Sequence, residues 1–120
     1  MTIAGIDHVQ LAAPVGCEVE ARGFFGGVLG MREIHKPETL AGRGGVWFAC
    51  GGQELHVGVE SDFKPAHKAH PAFRVTDLDE LRARIEGAGV HTTADDAIPG
   101  VRRFYTQDPF GNRLEFTEQM

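Results

Sequence analysis

The sequence carries one pattern of predicted secondary structure twice. Each half of the 120-residue chain reads as a strand, a helix, a short strand and a hairpin, which gives a repeat of about 60 residues. The halves also align residue by residue, with His8 over His70 and Leu55 over Leu114. Two copies of one unit that mixes strands and helices predict an α+β fold for a single domain over residues 1–120.

The first half, about residues 3–60, opens with a strand whose alternation places Val9 and Leu11 on the core face. Apolar spacing then predicts an amphipathic helix, with Val19 on its buried stripe and Gly30 as its stop. Gly51 and Gly52 predict the turn of a hairpin. The predicted elements of this half are a strand over 3–12, a helix over 18–29, a strand over 31–35, a loop over 36–45 and hairpin strands over 46–50 and 53–60.

The second half, about residues 70–118, follows a linker over 61–69 that is polar, contains Pro65 and has no periodicity. Asp77, with Glu80 three residues later, predicts the start of a helix that Gly89 ends. The cluster from Asp108 to Asn112 predicts a tight turn. The predicted strands of this half cover 70–75, 90–93, 101–107 and the stretch after the turn.

Composition restricts the partners of the chain. A net charge of −5 with scattered Lys and Arg argues against nucleic acid and anionic membranes, and no apolar run approaches the roughly 20 residues of a membrane span. Cys17 and Cys50 are too few for a disulfide framework, and no export signal precedes the first strand. We therefore expect a cytoplasmic protein whose partner is a small molecule.

Four metal-competent side chains fall at two pairs of repeat-equivalent positions. His8 corresponds to His70, and His56 corresponds to Glu115, each on the non-core face of its strand. Two imidazoles and a carboxylate are a ligand set that leaves coordination positions open on Fe, Mn, Zn, Ni or Co. A single histidine on a polar strand face is usually a surface residue, but the repeated placement favours a metal site. We predict one divalent metal per site.

Four segments spread over nearly the whole chain carry a resemblance to a known family: Gly5 to Val9, Gln53 to Val57, His70 to Val75 and Asp108 to Phe116. The last of them is the most specific. Together they resemble the vicinal oxygen chelate superfamily, which includes glyoxalases, bleomycin resistance proteins and extradiol dioxygenases. The resemblance implies two tandem βαβββ modules that form a curled, half-open barrel around a metal. It also implies a homodimer, with a site that one chain completes or that two subunits share.

The resemblance assigns roles residue by residue. His8, His70 and Glu115 match the usual metal triad of the family. His56 stands where glyoxalases and epimerases place a fourth ligand, usually Glu or Gln, and near the place of an acid/base histidine in dioxygenases, so both roles stay open. Tyr105 precedes Glu115 by ten residues, as a tyrosine of the dioxygenases precedes their ligand.

Two functions follow as hypotheses. The first is a metal-dependent enzyme, a glyoxalase-like lyase or isomerase or a dioxygenase, whose substrate chelates the ion through adjacent oxygens. His56 and Tyr105 would be catalytic, and Arg74, Gln10 and Trp47 would bind the substrate. The alternative is a metal-free protein that sequesters a drug or metabolite, with Trp47 and Phe48 as stacking surface.

Overall fold

The computed structural model of the chain describes residues 2–120. The chain forms two compact units, one ending at Lys64 and the other spanning Pro65–Met120, so the boundary falls inside the predicted linker. Each unit contains one mixed four-stranded sheet and follows the order βαβββ. The predicted α+β class and the two tandem modules are confirmed. Within residues 2–120 no helix has the length and apolar character needed to cross a bilayer.

The first unit arranges its strands in the order β1-β4-β3-β2, with β1 parallel to β4 and the other pairs antiparallel. A π-helical segment continues α1, and a 3-10 helix lies within the predicted 36–45 loop. The bounds are β1 (His8–Ala13), α1 (Glu18–Ala21), the π-helical segment (Arg22–Val28), β2 (Glu33–Ile34), the 3-10 helix (Glu38–Arg43), β3 (Val46–Cys50) and β4 (Gln53–Val59).

Several predictions for this unit are wrong. Val9, which was predicted on the core face, is 37% exposed. The first strand begins at His8 instead of Ile3, and the Ile3 side chain is 73% exposed. Val19 is 80% exposed instead of buried. The helical face that packs on the sheet carries Cys17, Ala21, Phe24 and Phe25. Ala21 lies about one helical turn after Cys17, and the adjacent Phe24 and Phe25 lie about one turn after Ala21. Val19 lies two residues after Cys17, on the opposite side of the helix.

The second unit arranges its strands in the order β5-β8-β7-β6, with β5 parallel to β8 and the other pairs antiparallel. Asp77 caps α2 as predicted, because its side chain accepts a hydrogen bond from the Glu80 backbone N–H. The bounds are β5 (Ala72–Arg74), α2 (Leu78–Gly87), β6 (Thr93–Asp95), β7 (Val101–Gln107) and β8 (Arg113–Gln119).

The predicted strand over 90–93 is misplaced, since β6 covers Thr93–Asp95. Gly89 adopts a left-handed φ of 84°, and the Val90 N–H donates to the Ile85 carbonyl. This backbone hydrogen bond belongs to the C-terminal cap of α2. The chain can join the sheet only after the cap is complete, and Thr93 then pairs with Tyr105.

Strand pairing confirms the residue-level alignment of the two halves. Gln10 lies opposite His56 in the first sheet, and Ala72, two residues after His70, lies opposite Glu115 in the second. On the other side of each of these strands the pairing also corresponds, because Trp47 of β3 lies opposite His56 and Tyr105 of β7 lies opposite Glu115. The predicted site residues therefore occupy matching positions on the two sheets.

Candidate functional site

A rigid turn fixes the start of β8. The Asp108 carboxylate accepts hydrogen bonds of 2.9 Å from the backbone N–H groups of Phe110 and Asn112, and one of 2.8 Å from Asn112 Nδ2. Gly111 has a φ of 94°, which favours glycine. Burial raises the pKa of the Asp108 carboxyl, although these hydrogen bonds act in the opposite direction. The turn holds the register of the strand that carries Glu115.

Glu115 lies on the non-core face of β8, because its neighbours Leu114 and Phe116 are both buried in the core. Its own carboxylate is also enclosed, and the residue is only 8% exposed. Oε1 lies 2.9 Å from His70 Nε2, and Oε2 accepts a hydrogen bond of 3.3 Å from Arg103 Nη1. The second unit therefore brings two members of the predicted metal triad into direct contact.

The hydrogen bonds of His70 fit a metal ligand. Its Nδ1 lies 2.8 Å from the Lys68 carbonyl oxygen, which can only accept, so Nδ1 carries a proton. In a neutral ring, a proton on Nδ1 leaves Nε2 as the atom that can bind a cation. The 2.9 Å between His70 Nε2 and Glu115 Oε1 is an ordinary hydrogen-bond distance. A bound cation would replace this hydrogen bond and take both atoms as ligands.

His8 repeats this arrangement in the first unit. Its Nδ1 lies 2.9 Å from the Asp7 carboxylate, which directs Nε2 away from the protein anchor. The ring stacks on His56 with a centroid distance of 4.1 Å, and His56 stacks on Trp47 at 3.8 Å. The three aromatic rings form a continuous stack on the non-core face of the first sheet.

His56 is buried and hydrogen-bonded. It is 4% exposed, and its Nε2 lies 2.9 Å from Glu54 Oε1. Its two ring faces are covered by His8 and Trp47. Because imidazole lone pairs lie in the ring plane, two nearly parallel rings with an interplanar angle of 18° are poorly oriented to bind one ion together. A carboxylate beside an imidazole is, by contrast, an arrangement that orients a histidine for proton transfer.

Tyr105 lies beside the His70 and Glu115 pair. Its ring is edge-on to His70 with a centroid distance of 5.6 Å, and Arg113 lies over the ring at 4.2 Å. Arg103 bonds to Asp95 as well as to Glu115. The pKa of the Asp95 carboxyl is lowered, first by the Ala97 backbone N–H and then by Arg103.

Within residues 2–120, the remaining predicted substrate-binding residues form no side-chain hydrogen bond, ion pair or ring contact with these clusters, although Gln10 lies opposite His56 on the paired strand. The Gln10 side chain covers Gly58, whose Cβ, if present, would lie 2.6 Å from Gln10 Nε2. Arg74 is exposed on β5 and forms no ion pair with any described residue from 2 to 120. Phe48 is fully buried in the core and offers no stacking surface, so that prediction is wrong.

The predicted triad divides between the two units, with His8 in the first and His70 and Glu115 in the second. Over residues 2–120, no group of three or more His, Cys, Asp and Glu side chains is close enough together to hold a metal ion. Sequence reasoning passed over Glu54, Arg103 and Arg113 as site residues. The signal was available for Arg113, since strand alternation places it on the same face as Glu115.

Comparisons with known proteins agree with the fold. A family model described as Glyoxalase/Bleomycin resistance protein/Dioxygenase superfamily matches residues 5–116. A solved structure of a protein from Bacillus anthracis assigned to the glyoxalase family is 57% identical, with a TM-score of 0.97 and coverage of 100% of this chain and 98% of that chain. A search of curated proteins found no match.

More distant structures share the fold alone. A lactoylglutathione lyase from Agrobacterium tumefaciens is 24% identical, with a TM-score of 0.76 over 98% of this chain and 96% of that chain. A mutant fosfomycin resistance protein from Listeria monocytogenes, in complex with Mn(II) and 1S,2S-dihydroxypropylphosphonic acid, is 19% identical. Its TM-score is 0.82 over 99% of this chain and 95% of that chain.

Proposed function

The chain belongs to the Glyoxalase/Bleomycin resistance protein/Dioxygenase superfamily, and from this premise we propose that it is a metal-dependent enzyme. Its substrate would be a small molecule that chelates a divalent cation through two adjacent oxygens. The reaction would be that of a lyase, an isomerase or a dioxygenase. The observation that carries the proposal is the pair of His70 and Glu115, whose facing atoms lie 2.9 Å apart while the Lys68 carbonyl anchors the other nitrogen of the imidazole.

We propose His8, His70 and Glu115 as the protein ligands of one Fe, Mn, Zn, Ni or Co ion. Such an ion would supply Lewis acidity toward a bound oxygen. Both histidines bond through Nδ1 to an oxygen, which fixes the tautomer and leaves Nε2 as the ligand atom. Because these ligands come from both units, we propose a homodimer in which one chain or two subunits complete the site.

His56 would serve as a general acid or base. Glu54 orients its ring, and burial between His8 and Trp47 restricts the access of water. Tyr105, edge-on to His70, would donate a hydrogen bond to a substrate oxygen. If His56 were instead a fourth ligand, its removal would weaken metal binding. In the proton-transfer role, His56→Ala keeps the metal and loses turnover.

Metal analysis tests the proposal. Purified protein would be analysed for metal, stripped with a chelator and titrated with Mn, Fe, Co, Ni and Zn. We expect one ion per chain, and we expect Glu115→Ala and His8→Ala each to abolish binding without unfolding the protein. His35→Ala is the matched control, because His35 has no counterpart in the repeat and should not affect binding. The enzyme proposal would be excluded if the protein contained no ion as purified and bound none when titrated after the chelator treatment.

A metal-free binding protein is the alternative. His8 and Trp47, the outer rings of the stack on His56, would offer an aromatic surface to a drug or metabolite. This function needs no metal ligand, so Glu115→Ala would leave ligand binding intact, whereas Trp47→Ala would weaken it. The same metal titration therefore separates the two functions.

A further inference from the structure

The second unit contains an open cavity of about 380 Å³ beside Tyr105. Its wall comes from the C-terminal end of β7, the first residue of β6 with the segment before it, the first residue of β8, and His67 of the linker between the two halves. The polar side chains that line it include His67, His91, Thr93 and Arg113. No Asp or Glu belongs to this lining within the described part of the chain. The described lining therefore combines hydrogen-bond donors with one guanidinium group and contains no carboxylate.

Arg113 supplies the charge. Its guanidinium lies over the Tyr105 ring at 4.2 Å and forms no salt bridge with a carboxylate of residues 2–120. Arg103, which lies over the same ring at 5.4 Å, is bonded to both Asp95 and Glu115. Arg103 is therefore held in two salt bridges within the unit. Arg113 acts on Asp95 only at longer range, and its fork of N–H donors forms no salt bridge with a described carboxylate, so these donors can bind a ligand.

The fold positions the backbone that carries the other donors, His91 and Thr93. The Thr106 hydroxyl donates a hydrogen bond of 2.7 Å to the His91 carbonyl, which attaches the segment before β6 to β7. Thr93 Oγ1 lies 3.4 Å from His91 Nε2, so these two side chains face each other at the cavity wall. Because this backbone is already positioned, less conformational entropy is lost when the cavity binds a ligand.

We propose that this cavity binds an oxyanion, a carboxylate or phosphate group, with Arg113 as its principal ion-pair partner and Thr93 and His91 as further donors. A planar guanidinium binds either group through two parallel hydrogen bonds. The net charge of −5 disfavours a polyanionic partner. The ligand is thus a small anion or the anionic end of a small molecule.

The position of the cavity identifies the substrate class. Arg113 precedes Glu115 by two residues on the same face of β8, a separation of about 7 Å along the strand. Tyr105 lines the cavity and also contacts His70. Resting on the proposed function, this placement indicates a substrate that carries an anionic group a few bonds from its two metal-chelating oxygens.

Anion titration tests the site on the full-length chain. Protein treated with a chelator would be titrated with inorganic phosphate and separately with acetate at constant ionic strength, with chloride as the reference, and followed by backbone amide NMR. We expect the amide chemical shifts of His91, Thr93 and Arg113 to change and to saturate at millimolar concentrations of the anion. Stronger binding of phosphate or of acetate would identify which oxyanion the cavity prefers. Shifts equal to those caused by chloride would overturn the proposal.

Substitutions then assign the binding to the cavity. Arg113→Gln should weaken anion binding by about tenfold, and Thr93→Val, which keeps the side-chain shape, by about threefold. Arg102→Gln is the matched control, because Arg102 is exposed and paired with Asp79. Unchanged affinity in folded Arg113→Gln, or equal losses in Arg113→Gln and Arg102→Gln, would refute the assignment.

The metal experiment keeps this proposal separate from the proposed function. Arg113 is not among the proposed ligands, so Arg113→Gln should retain the metal affinity of the unmodified chain. Anion binding without metal binding would leave the cavity assignment intact and remove the enzyme proposal. Metal binding without anion binding would leave the enzyme proposal intact and remove the cavity assignment.

Discussion

Removal of the Asp108 carboxylate should destabilise the protein by about 3 kcal/mol. Asp108→Ala removes the acceptor of three hydrogen bonds, and two of these, from the backbone and side-chain N–H groups of Asn112, are buried. Removal of the acceptor from a buried hydrogen bond costs about 1–3 kcal/mol, which gives about 2–6 kcal/mol for the two bonds. We place the expected loss in the lower half of this range, because burial of the Asp108 carboxylate is itself unfavourable, as its raised pKa indicates. The alanine variant no longer bears this desolvation cost.

Thermal and urea unfolding measure this loss. The entropy of unfolding is about 2.1 cal/mol/K per residue, which gives about 0.25 kcal/mol/K for the 120 residues. A loss of about 3 kcal/mol in the free energy of unfolding therefore lowers Tm by about 12 °C. Asp108→Asn is the matched control. It keeps the oxygen that accepts from Phe110 and Asn112 but places an NH₂ group against Asn112 Nδ2, so we expect a loss of about 1 kcal/mol. An alanine variant as stable as the unmodified chain, or no difference between the two variants, would refute this account.

Three further predictions concern the first unit. Gly45→Ala should destabilise it by about 3 kcal/mol or more, measured by urea unfolding, because the new Cβ would lie 2.2 Å from the Val57 carbonyl oxygen. Hydrogen bonding from the Gly45 N–H lowers the pKa of Glu18 from its ordinary 4.5, so its contribution to stability is present above pH 4.5 and lost as pH falls through the lowered value. The difference in unfolding free energy between the unmodified chain and Glu18→Gln should therefore shrink as pH falls from 4.5 through the lowered pKa, as measured by urea unfolding at each pH. Trp47→Ala should cost about 1 kcal/mol of unfolding free energy beyond its lost apolar area, through the stack on His56.

Local rules of the sequence were sufficient for the elements that they control. The Asp77 cap, the Gly89 stop, the turn from Asp108 to Asn112 and the bounds of β3 and β7 agree with the structure. These features depend on the backbone preferences of a few adjacent residues. Where contacts between elements decided the outcome, as for Val19, the sequence pattern failed.

The sequence by itself determined the repeat, and with it the matching positions of His8 and His70 and of His56 and Glu115, because strand alternation fixes which side chains share a face. Only the tertiary structure decided their contacts. It pairs Glu115 with His70, places His56 between two aromatic rings, holds Arg103 in salt bridges with Asp95 and Glu115, and leaves Arg113 without a salt bridge to any carboxylate of residues 2–120. These contacts join residues as far as 45 positions apart, and the distance between such residues depends on how the strands pack and on which rotamers the side chains adopt.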